Sequence, residues 1–102
     1  MDNLLIINHP RGHIELVIDN FFPCIQYKAN IIFPLINRYA EEDEKENLRC
    51  YLKRCVQENA DAIDALNYQL ETNEYSKTGL KTQIRHLCVI EKRAKRNLEA
   101  MK

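Results

Sequence analysis

The sequence predicts an α+β fold: an N-terminal β-hairpin, a kinked helix, then a long antiparallel helical hairpin. Three observations predict it. Two Gly and three Pro in 102 residues are too few turn formers for a sandwich or barrel of many short strands, so helix dominates. Ile14, Leu16 and Ile18 alternate with His13, Glu15 and Asp19, the period of a half-buried strand. From Leu48 onward, apolar residues step by four and three, the period of helices that bury one stripe.

Residues 1–19 read as the β-hairpin, because Leu4–Ile7 and His13–Ile18 flank a turn containing Pro10 and Gly12. A lone two-stranded hairpin is marginal in water, so its apolar face needs cover. Residues 20–39 supply it as a helix kinked at Pro34, with Asn20 as N-cap, Pro23 in the first turn, and Ile25, Ala29, Ile32, Ile36 and Tyr39 at helical spacing. A third strand is the rival over 24–33, since Ile25, Tyr27, Ala29 and Ile31 also alternate with Gln26, Lys28 and Asn30. Phe21 and Phe22 are expected to pack together under the hairpin.

The acidic run Glu41–Glu46 opens a helix over 41–73, its negative charge suiting the positive end of the backbone dipole. A second long helix follows over 77–102, with Ser76 or Thr78 available as N-cap. Leu48, Leu52, Cys55, Asn59, Ala62 and Leu66 share their phase with Leu80, Ile84, Leu87, Glu91, Ala94, Leu98 and Met101. Folded back on one another, the two stripes pair Leu66 with Ile84, Ala62 with Leu87, Cys55 with Ala94, Leu52 with Leu98 and Leu48 with Met101. Asn59 then meets Glu91, the single polar position of each stripe.

A chain of this length buries about 60 to 68% of its unfolded surface, enough for one modest core, and residues 1–102 read as a single domain. Fifteen basic against fifteen acidic residues and a pI near 6.8 argue against a generic polyanion binder. The apolar runs Leu4–Ile7 and Ile31–Ile36 fall far short of the ~18 residues of a transmembrane helix, so no membrane partner is expected. Met1-Asp2-Asn3 has no basic signal-peptide region, and a cytoplasmic location with Cys24, Cys50, Cys55 and Cys88 as reduced thiols follows.

No catalytic chemistry is legible. His9, His13 and His86 fall at no Ser/His/Asp or Cys/His spacing, and no CxxC, HExxH, EF-hand or phosphate-loop motif is present. Cys50 and Cys55, five apart on a helix, point about 140° apart and cannot share one zinc. The protein is therefore expected to be no enzyme, with no cofactor and no metal.

Charge, by contrast, is strongly partitioned. Residues 41–75 carry ten acidic and four basic groups, and residues 76–102 carry two and eight. Lys81, Arg85, Lys92 and Arg96 form a stripe of ~22 Å at helical rise, whose acidic counterparts on the preceding helix are Glu71, Asp64 or Asp61, and Glu58. Internal pairing of the two helices is the expectation. Arg96 instead falls opposite Arg54, with Lys53, Arg93 and Lys95 nearby, which leaves that end as the basic candidate surface. The tip of the β-hairpin, His9, Arg11 and His13, is the second candidate.

A compact, neutral, motif-poor chain of this length resembles in size and style the small inhibitors encoded by phages and mobile elements, including anti-CRISPR proteins. The resemblance covers the whole chain and carries no motif or residue across. It implies a non-enzymatic protein that sterically blocks a larger nucleoprotein partner such as a host nuclease complex. Two alternatives belong to other classes: a nucleic-acid-binding or regulatory protein using the basic last helix, with weak and salt-dependent affinity, and a structural homodimer in which two helical hairpins form a four-helix bundle with Val56, Ile63 and Cys88 as added apolar positions.

Overall fold

Alternation sorts the first strands into two faces. The computed structural model describes residues 3–72 and 77–101. In it β1 (Asn3–His9) and β2 (Gly12–Ile18) pair antiparallel, with Leu5 opposite Leu16 and Ile7 opposite Ile14. That face packs on the core, Leu5 and Ile7 buried and Ile14, Leu16 and Ile18 partly so, while Leu4, Ile6 and Val17 stay exposed on the other. The strands reverse through Pro10 and Arg11, closed by the pairing of His9 with Gly12. Gly12 takes a φ of 132°, a region that side chains with a Cβ rarely enter.

Residues 20–39 depart from the expected single helix. Phe22–Cys24 forms a 3-10 turn with Pro23 as its second residue, and α1 spans only Ala29–Tyr39. The reason is local. The Asp19 carboxylate accepts the Phe21 N–H at 3.0 Å, and the Asp19, Phe21 and Phe22 carbonyls accept the N–H groups three residues on, which closes a tight turn before a helix can propagate. Lys28 then adopts a left-handed conformation (φ 64°) and serves as N-cap without a side-chain bond. Asn20 is therefore not the cap, and β1 and β2 are the only strands among the described residues. Pro34 does lie inside α1, withholding the N–H that would bond the Asn30 carbonyl. Phe21 and Phe22 part company: Phe22 is buried with its ring 5.8 Å from that of Phe33, whereas Phe21 is exposed.

The helical hairpin has the expected bounds to within a residue or two, α2 over Glu42–Thr72 and α3 over Lys77–Ala100. Ser76 and the connection 73–76 lie outside the described residues, and Thr78 falls inside α3. Glu42, Asp43 and Glu44 occupy the first turn of α2, where the helix dipole favours them. Lys45 is buried there, its ammonium donating to the Asn37 carbonyl at 3.3 Å and pairing with Glu42 at 2.7 Å. The hydrogen bond and charge of Lys45 hold the Glu42 carboxyl below its ordinary range.

Every residue of the two expected stripes among those described is buried or half-buried. Their polar centre differs from expectation. The Asn59 amide donates to the Cys55 carbonyl at 2.8 Å, within its own helix, and Glu91 lies 3.9 Å from Lys95 on α3. The buried polar anchor is Asn97, only 2% exposed, whose amide donates to the Pro23 and Ile25 carbonyls at 2.8 and 3.1 Å. From α2, the Tyr51 hydroxyl donates to the Asp19 carbonyl at 3.0 Å. Residues 19–25 are thus tied to both long helices, and Asn37 fastens α1 to the last turn of α3 by donating to the Ala100 carbonyl at 2.8 Å.

Core residues gather at one end of the molecule. Leu5, Ile7, Phe22, Phe33, Ile36, Ala40, Leu48, Leu52 and Met101 form one cluster, and beyond it α2 and α3 continue as a rod, giving overall dimensions of 58 × 24 × 23 Å. Among the described residues, no helix is long and apolar enough to cross a membrane.

Candidate interaction surface

The basic residues singled out in sequence fall into three places. Arg93, Lys95 and Arg96 come together with Lys92 on the outer side of α3, where they line a groove of about 540 Å³ with Val89, Glu99 and Gln26, a residue of the segment between the 3-10 turn and α1. Gln26 and Arg96 also line the adjoining groove of about 470 Å³, whose other walls are Ala29, Asn30, Phe33, Asn97 and Ala100. The two depressions form one trough running from α3 across to α1. Its shape follows from Asn97: by holding the Pro23 and Ile25 carbonyls, the amide seats Gln26 over the helix that carries Arg96.

Arg54 is elsewhere. It lines a separate groove of about 630 Å³ between the β-hairpin and α2, with Leu4, Ile18 and Tyr51 among its walls. Its guanidinium sits over the Tyr51 ring at 5.5 Å and 3.9 Å from Glu58, so the expected lack of an acidic neighbour is corrected. Lys53 is exposed on α2. The hairpin tip forms the third place: His9 meets the edge of the Tyr39 ring at 4.9 Å and accepts the Arg11 N–H at its Nδ1, while His13 lies 3.5 Å from Glu15. That arrangement props the tip against the end of α1 and orients neither imidazole toward a nucleophile.

Expected ion pairs between the long helices are not formed. All four Lys/Arg ion pairs of the described residues, Lys45–Glu42, Arg49–Glu46, Arg54–Glu58 and Lys95–Glu91, span three or four positions within one helix. Lys81, Arg85, Lys92 and Arg96 are exposed, because at about 100° per residue they project more than 90° from the buried stripe of α3. A flank position would have met α2; an outward one does not.

Three large apolar residues on the neighbouring segments are exposed, although none of them lines the trough. Tyr27, next to Gln26, is 88% exposed; Ile31, next to Asn30 on α1, is 60% exposed; and Phe21, just before the 3-10 turn, is 75% exposed. The alternation that suggested a third strand had marked Tyr27 and Ile31 together, and the left-handed Lys28 places them at the entry to α1 instead. All four cysteines are free. Burial raises the Cys55 thiol pKa, with the charges of Cys24 and Glu58 adding to it and the Asn59 amide opposing. Among the described residues, no three His, Cys, Asp or Glu side chains gather as a metal site.

Fold and surface together define a class: a small α+β chain with a one-ended core, a protruding helical hairpin, and a basic trough across α3 and α1. No family model, curated protein or solved structure matches this chain.

Proposed function

We propose that this is a non-enzymatic binding protein that docks a larger macromolecule on the Gln26–Arg96 trough, acting as a steric inhibitor of that partner. The observation that carries this reading is the pair of adjoining grooves that share Gln26 and Arg96, one of them gathering Lys92, Arg93 and Lys95 as well, with Gln26 next in the chain to Tyr27, which is 88% exposed. Arginine and aromatic side chains are the groups that concentrate binding energy at protein interfaces, since each combines a large contact area with a directional polar tip. A nucleoprotein complex, as implied for phage-type inhibitors, presents the acidic and apolar mixture that this surface complements.

A second reading has its own support. The outward stripe Lys81, Arg85, Lys92 and Arg96 makes no ion pair with α2 and spans ~22 Å at helical rise, which suits a phosphate backbone and favours a nucleic-acid-binding role. Affinity capture from host lysate, with and without nuclease, separates the two. The inhibitor reading expects a protein retained after nuclease treatment and released by Tyr27→Ala or Arg96→Glu, each weakening capture about 10-fold or more. Capture abolished by nuclease and by Lys81→Glu with Arg85→Glu, with Tyr27→Ala unaffected, selects the nucleic-acid reading.

A further inference from the structure

The distal half of the helical hairpin carries an unfinished core. From Cys55 to Leu70 on α2 and from Leu80 to Ile90 on α3, the residues of the buried stripe stop at half-burial, because two helices side by side cover only one flank of each other. Helical projection at about 100° per residue divides this layer into two faces. Tyr51 and Asn97, which hold residues 19–25, lie on one. Val56, Ala60 and Ile63 of α2, with Ile84 and Cys88 of α3, fall on the opposite face, away from the 19–25 segment.

Charge says what covers this second face. On its margins, Lys81 and Arg85 of α3 and Asp64 and Glu71 of α2 are all exposed, and none is in an ion pair with another described residue. Glu71 stands one residue from the end of α2 and Lys81 four residues into α3, so both lie near the same end of the rod. A two-fold axis parallel to the rod sets α3 of one copy over α2 of the other at the same level. Lys81 then meets Glu71 of the second copy, and Arg85 meets Asp64, twice over by symmetry. A two-fold across the rod stacks α2 on α2, bringing together two segments (41–75) that each carry ten acidic and four basic groups, which electrostatics disfavours.

We infer that the protein pairs with a second copy of itself through the Val56–Ile63–Ile84–Cys88 face, as a four-helix bundle in which the acidic α2 of each copy packs on the basic α3 of the other. The pairing uses a face separate from the Gln26–Arg96 trough and holds whether or not that trough binds a partner.

Sedimentation equilibrium of the purified chain at about 0.1 M salt and micromolar concentration is expected to give twice the 12.1 kDa chain mass. Ile63→Asp is expected to weaken dimerisation strongly. The decisive pair of variants is confined to exposed positions, so folding is retained if Ile63→Asp proves unstable: Lys81→Glu with Arg85→Glu in one chain, Asp64→Lys with Glu71→Lys in another. Each alone sets like charges across the interface and is expected to dimerise about 10-fold or more weakly than the parent. An equimolar mixture restores opposite charges at every position and is expected to form a heterodimer with affinity near that of the parent. A monomeric parent at about 100 μM, or a mixture no tighter than its components, overturns the inference.

Discussion

Asn97 shows how much one polar side chain sets in this molecule. It donates to two carbonyls of a segment that supplies no other bond to α3, and removing it strands buried acceptors. Asn97→Ala is expected to cost about 1 to 3 kcal/mol in denaturant melts, beyond what its small volume accounts for. Its role is not legible in sequence, because an Asn beside the apolar position Leu98 carries no mark of the distant Pro23 carbonyl that it satisfies. Glu42 acts through pH. Its pKa is depressed by Lys45 in the folded state, so its contribution is present above the unfolded value near 4.5 and is lost as pH falls through the folded value. Glu42→Gln is expected to flatten the acid limb of stability against pH below about 5, with little change at pH 7 beyond the loss of that contact. Among the thiols, Cys50 and Cys88 are exposed and Cys55 is half-buried with a raised pKa. Alkylation at pH 8 followed by mass spectrometry is expected to modify Cys50 first and Cys55 more slowly, with Cys88 shielded to the extent that two copies pair.

At the scale of elements, periodicity was a good guide where an element buries one continuous stripe. The seam of α2 and α3, and the inward set Ile14, Leu16 and Ile18, are written in steps of four and three or of two, because burial repeats with the backbone. Residues 20–28 resisted that reading: a 3-10 turn and a left-handed Lys28 arise from short backbone bonds that impose no period on side chains. Leu52 lies fully buried and Leu98 partly so, both against the main cluster. Leu52→Ala is therefore expected to cost about 2 to 5 kcal/mol and Leu98→Ala less, and the double variant is expected to fall short of additivity, since each opens space beside the other. Hydrogen exchange is expected to be slowest around Leu48–Leu52 and Ala94–Asn97, where the helices meet the rest of the core, and faster along 60–72 and 77–87.

On the scale of the whole molecule, the asymmetry of packing outweighs composition. A compact chain of 102 residues has a radius of gyration of about 13 Å, against 16.5 Å here, and the excess is the protruding rod. Small-angle scattering on a dilute sample is expected to show an elongated particle. The basic character of α3 was legible in the charge partition; its outward direction was not, because a small error in helical phase moves a flank residue to the outer face. The trough was hidden for another reason. Gln26 and Arg96 are seventy positions apart, and the hydrogen bonds of Asn97 help bring their segments together.

A rod anchored at one end is also a lever. From the level of Leu52 and Ala94, about twenty residues of α2 run outward, ~30 Å at helical rise. Tilting it by a tenth of a radian about that fulcrum carries the far end by about 3 Å. The fulcrum is where Asn97 and Tyr51 grip residues 19–25, so load applied at the far end falls with mechanical advantage on the segment that shapes the trough.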